Sequence, residues 1–159
     1  MERTLNDLEQ KLKVIENNLA EEIAPKVNEL FKDSIRYSLV DWYNDYDQNM
    51  YKRTNNFMNV LDTAETSGKG NLLTMSLSSG SMNSYKGFDI PPYEGYERKT
   101  LDSDTAYDYM WNDGEHGHGK WMKHKSMPPH QYVDRDTRDG FGGQLDKIVN
   151  SKIDEILRK

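Results

Sequence analysis

The sequence predicts an α+β fold. A long N-terminal helix and a C-terminal helix pack on a small antiparallel sheet, with long loops between. Three patterns carry that prediction. Apolar residues step by three and four from Leu5 to Trp42, as one face of a helix requires. Leu73, Met75 and Leu77 alternate with Thr74 and Ser76, the period of a strand with one covered face. Leu145, Ile148, Val149, Ile153, Ile156 and Leu157 share a helical face at the end of the chain.

The first helix is expected over residues 3–42. Leu5, Leu8, Leu12, Ile15 and Leu19 make a short coiled-coil-like seam. Ile23, Val27, Leu30, Phe31, Ile35, Leu39 and Trp42 continue the stripe. Pro25 lies inside it and predicts a kink or break near Glu21–Pro25, because proline lacks an amide donor and clashes with the preceding turn. The seam serves either the chain's own sheet or a neighbouring subunit.

Residues 43–61 read as an Asx- and aromatic-rich loop followed by a short helix carrying Phe57, Met58, Val60 and Leu61. Residues 62–70 read as a linker. Strands and loops are expected over 71–133, with a strand at 71–82 and a second at Tyr85–Ile90, ended by Pro91 and Pro92. Ala106 to Gly114 is an aromatic block of either helix or strand. Residues 114–130 read as a long loop, of the kind that is usually functional. The C-terminal helix is expected over 144–158. The whole chain, 1–159, reads as one domain.

Composition narrows the function. Leu, Ile, Val and Phe make up only about 19% of the chain, while 10 Tyr, 3 Trp and 8 Met supply further apolar surface. The core is thus thin and aromatic. The absence of cysteine removes disulfides, thiolate metal sites and cysteine nucleophiles. No apolar run is long enough to span a membrane, and no signal-peptide core opens the chain. A net charge of −6 argues against direct, sequence-specific nucleic-acid binding.

Signatures of catalysis are sparse. Ser67-Gly68-Lys69-Gly70 lacks the phosphate-loop frame, and neither G-x-S-x-G nor His-Glu-x-x-His occurs. Acidic pairs such as Asp102/Asp104 and Asp134/Asp136 are expected by chance among 27 acids. The expectation is therefore a protein that is not an enzyme and has no cofactor. His116, His118, His124 and His130 form the one candidate metal-ligand cluster, beside Asp113 and Glu115. The bland reading is a solvated loop, and no metal is assigned. Aromatic residues suit subunit contacts, since they bury much area at low entropic cost. The interface candidates are Leu5, Leu8, Leu12, Trp42, Tyr46, Tyr51, Arg53, Tyr107, Trp111 and Trp121.

The order of segments also carries a resemblance. The long helix leads to Tyr46-x4-Tyr51-Lys52-Arg53-Thr54, a short apolar stretch and strands. Then come Ala106-Tyr107-Asp108-Tyr109-Met110-Trp111-x2-Gly114, a glycine-containing loop, Pro128-Pro129-His130-x-Tyr132 and a final helix. This layout resembles the tail-completion, or head–tail joining, proteins of tailed bacteriophages, the group related to minor tail protein Z. The resemblance implies helices on a small antiparallel sheet and no catalytic residues. It implies a homo-oligomeric ring, a hexamer in the usual case, in the virion neck. Its neighbours would be the connector or adaptor protein above and the tail tube or tail terminator below. Such a protein is made in the host bacterial cytoplasm and ends in the virion. The loops at 62–70 and 114–130 would be docking arms. Two alternatives remain at this point: a His-rich metal-binding module or metal-dependent enzyme, and a bacterial interaction module using a coiled-coil first helix.

Overall fold

The computed structural model describes residues 2–45, 55–82, 102–116 and 124–158. Helix α1 spans Glu2–Asn44 and is followed by a 3-10 helix at Asn56–Thr63. Strands β1 (Glu65–Lys69) and β2 (Leu72–Ser76) form an antiparallel hairpin. Helix α2 is Ser103–Trp111, and a second small hairpin joins β3 (Glu115–His116) to β4 (His124–Lys125). Helices α3 (Pro129–Arg138) and α4 (Gly140–Arg158) end the chain. The fold class is α+β, as the periodicities imply. The expected strand at 85–90 lies outside the described residues.

The chain divides into two compact units. One comprises Met1–Ser34, Ala64–Ser76 and Arg135–Lys159; the other comprises Ile35–Thr63 and Leu77–Asp134.

In the first unit, α1 buries Ala20, Ile23, Ala24, Val27 and Phe31, the i, i+3, i+4 spacing of one helical face. The helix continues through Pro25, so the expected break there does not occur. Glu21, Glu22, Pro25 and Lys26 are all exposed, so water is at hand for backbone groups left unpaired around the proline. Helix α4 runs antiparallel to α1: Lys152 pairs with Glu22 at 2.6 Å, and Lys11 Nζ donates to Leu157 O at 3.3 Å. The hydrogen bond to Glu22, then that to Glu155, holds the Lys152 ammonium above its ordinary pKa. Ser34 Oγ donates to Asp136 Oδ2 at 2.7 Å.

The expected linker at 62–70 is instead strand β1, paired with β2 from Glu65↔Ser76 to Lys69↔Leu72. Its sequence, Glu-Thr-Ser-Gly-Lys, carries no aliphatic side chain, so hydropathy alone reads as coil. The usable signal is Gly70-Asn71, a two-residue hairpin turn. Gly70 sits at φ +60°, the first central position that a type II′ turn reserves for glycine. Thr66 and Gly68 of β1 lie on the same half-buried face as Leu73 and Met75 of β2. That face meets α1, where the Ala20 N–H donates to Gly70 O at 3.0 Å. Thr66 Oγ1 is buried on this face without a hydrogen-bond partner among the described residues. Thr66→Val removes an unsatisfied oxygen and keeps the β-branched shape. It should raise stability by about 1 kcal/mol, read from urea unfolding.

Residues Gly140 to Gly143 form a left-handed turn between α3 and α4, with φ of 56°, 53°, 65° and 77°. Glycine carries three of the four positions. The exception, Phe141, is buried, and that burial offsets its backbone strain. Right-handed helix follows from Gln144, which fits the expectation of a helix over 144–158.

The second unit is built on aromatic rings. Ile35, Leu39 and Trp42 of α1 are buried, as are Phe57 and Val60 of the 3-10 helix and Ala106, Met110 and Trp111 of α2. Phe57 makes edge contacts with Trp42 at 5.2 Å, Tyr107 at 6.3 Å and Trp111 at 6.4 Å, and Tyr107 stacks on Trp111 at 5.9 Å. The 3-10 helix is pinned at its end, where the Thr63 hydroxyl accepts from Ser78 N–H at 3.0 Å.

Helix α2 begins at Asp102, whose carboxylate accepts from Thr105 N–H at 2.9 Å and from the Thr105 hydroxyl at 2.8 Å. The backbone bond, then the hydroxyl bond, holds the Asp102 carboxyl below the usual carboxylate range. The cap is complete above the ordinary aspartate pKa and is lost as pH falls through the lowered one. Asp102→Ala should speed amide exchange in the first turn of α2, while Asp102→Asn keeps the cap.

Candidate interaction surfaces

The interface candidates separate into three groups. Leu5, Leu8 and Leu12 stand on one face of α1 and are 60%, 47% and 53% exposed. Those fractions are high for leucines at heptad positions, so this part of the seam is uncovered among the described residues. Ile15 and Leu19, further along the same stripe, are half-buried.

Trp42, Tyr107 and Trp111 belong instead to the internal aromatic cluster. Trp42 and Trp111 are buried, so the proposal that they face a neighbouring subunit is corrected. A thin aliphatic supply leaves the second unit to fill its own core with rings. Burial, and secondarily the charge of Asp108, pushes the Tyr107 hydroxyl up to about 12. The neutral phenol is thus favoured by folding. This contribution is whole below the ordinary tyrosine value of 10.0 and is lost as pH rises towards 12. An alkaline titration followed by tyrosinate absorbance should show a late-titrating ring in the native protein that is lost in urea and in Tyr107→Phe.

Tyr46, Tyr51, Arg53 and Trp121 lie outside the described residues, as does His118.

Within the expected long loop at 114–130, the described residues form the short β3–β4 pair above a pinched base. Ser126 N–H donates to Gly114 O at 2.9 Å. Gly114 has φ +67°, and a Cβ there would strike the carbonyl oxygen of Ser126, so only glycine fits. In the hairpin, His116 and His124 are direct register partners, next to Glu115↔Lys125. Glu115 is buried.

The loop ends in α3, whose amphipathic pattern was hidden by five charged or amide residues in a ten-residue helix. The Asp134–Asp139 run, read as local ion pairs, falls mostly within it. His130 in its first turn has Nδ1 3.0 Å from the carbonyl oxygen of Trp111. A carbonyl only accepts, so Nδ1 carries the proton and His130 acts as a tie between α3 and the end of α2. Among the described residues no group of three or more His, Asp or Glu side chains is placed to hold a metal ion.

One shallow concavity, of about 360 Å³, is lined by Asp41, Trp42, Asn44, Asp45, Ser126, Met127 and Tyr132. Its lining contains no histidine or lysine to act as a base near Ser126. No described helix is long and apolar enough to cross a membrane. No protein-family model, curated protein or solved structure matches the chain.

Proposed function

We propose that this chain is a structural assembly protein of the virion neck. In this reading it forms a ring between the capsid connector and the tail tube, as a tail-completion protein does. The observation that carries the assembly reading is the uncovered leucine face of α1, Leu5, Leu8 and Leu12. Three leucines exposed along one face of a single helix make an apolar patch of the kind that receives a partner. The element order supports the neck: long helix, hairpin, aromatic helix, glycine-pinched arm, proline-started helix and final helix. The β3–β4 hairpin is the natural docking arm, because its base is fixed by Gly114 and Ser126 while its strands extend away from that clamp. Side-to-side contacts that close by rotation would make the ring.

Antibody labelling of virions tests the placement. Label at the head–tail junction supports the reading. Label elsewhere, or absence of the chain from purified particles, refutes it.

A second reading is favoured by one observation, the register partnership of His116 and His124. In that reading the hairpin binds a divalent transition metal. Elemental analysis of untagged protein decides it: stoichiometric metal that disappears in the His116→Ala, His124→Ala double variant supports it.

A further inference from the structure

We infer that the N-terminal seam of α1 pairs with the same seam of a second copy, in parallel. This inference goes beyond the neck assignment and does not rest on it.

The seam has heptad spacing. Leu5, Leu12 and Leu19 occupy one core position and Leu8 and Ile15 the other. Helix α4 ends at Arg158, with the Leu157 carbonyl at the level of Lys11. Because α4 is antiparallel, residues 2–10 of α1 extend past its last described residue, by about 13 Å of helix. Leu5 and Leu8 lie on this overhang, and Leu12 lies at its base. They are the uncovered part of the seam, while Ile15 and Leu19, alongside α4, are half-covered.

The charges beside the seam name the occupant. Glu9 and Glu16 flank one edge and Lys11 the other. In a parallel pair, Lys11 of one copy faces Glu16 of the other, five residues on, and the relation repeats across the axis. An antiparallel pair would set Glu9 of one copy near Glu16 of the other, a like-charge contact. The seam is therefore self-complementary in one orientation only. Lys11 already pairs with Asp7 at 3.2 Å and donates to Leu157 O at 3.3 Å. An ammonium has three donors, so one remains for the second copy. A closed pair of this kind differs from the side-to-side contact of a ring and belongs to the chain before it is assembled.

Sedimentation equilibrium on the full chain tests the pairing. The expected mass approaches twice 18.6 kDa as concentration rises. The Leu8→Asp, Leu12→Asp double variant should be monomeric, with unchanged circular dichroism because both positions are exposed. Glu16→Lys should weaken the pair about threefold, and adding Lys11→Glu should restore it. The chain has no cysteine, so Leu5→Cys supplies an unambiguous reporter. In a parallel pair it cross-links to itself under mild oxidation. A chain that stays monomeric up to about 1 mM overturns the inference. So does a dimer that survives the two aspartates, one that fails to cross-link through Leu5→Cys, or any other stoichiometry.

Discussion

Phe57→Ala is expected to destabilise the second unit by about 4 kcal/mol, the cost of deleting a phenyl ring from a closed core. Phe57 is completely buried, and its ring meets Trp42, Tyr107 and Trp111 edge-on. Removing it leaves three rings facing a cavity, because they are fixed from two separate elements: Trp42 from α1, and Tyr107 and Trp111 from α2. Part of the loss is transfer free energy and part is the void that these neighbours cannot fill. Phe57→Leu keeps most of the volume and should cost much less, since only the ring-edge contacts are lost. Urea unfolding followed by tryptophan fluorescence reads both variants, with Trp42 and Trp111 as local reporters.

Gly68→Ala is expected to cost about 3 kcal/mol in the first unit. The new Cβ would fall against the backbone carbonyl of Ala20 and the amide nitrogen of Glu21. Both atoms belong to a continuous helix and cannot swing aside as a flexible side chain would. The hairpin must therefore lift from α1, which also stretches the bond from Ala20 N–H to Gly70 O. Thermal unfolding of the variant, compared with an exposed control such as Ser76→Ala, measures the effect. Equal stability of the two would mean that the hairpin does not dock on Ala20.

Both predictions concern positions whose meaning the amino-acid sequence discloses unequally. The helical face of α1 from Ile23 to Trp42 was legible because its apolar residues recur at helical spacing, and Ile23, Val27, Phe31, Ile35, Leu39 and Trp42 are all buried. The same rule extended to Leu5, Leu8 and Leu12, which are exposed. Periodicity reports that a face is apolar and says nothing of what covers it. Strand β2 was legible by alternation, whereas β1 was not, because its inward residues are Thr66 and Gly68. Gly68 is chosen for close approach to a helix, a constraint that no local pattern carries. Of the kink or break expected near Pro25, the break does not occur: α1 is continuous there, with Pro25 on the exposed side of the helix.

The candidate surfaces show the same division. Aromatic richness pointed equally to an interface and to a core, and the structure spends Trp42 and Trp111 on the core. His130 was grouped with the other histidines by proximity along the chain. Its ring is tied to the carbonyl of Trp111, a contact set by how α3 returns to α2. The pinched base at Gly114 and Ser126 depends on two residues 12 apart, one of them needed only for its positive φ.

The assembly reading is tested most directly by light scattering of the purified chain with the connector ring of its own virion. The account predicts a complex whose added mass corresponds to a closed ring of copies, six in the usual case, on each connector. A chain that adds no mass to the connector at any ratio would contradict it.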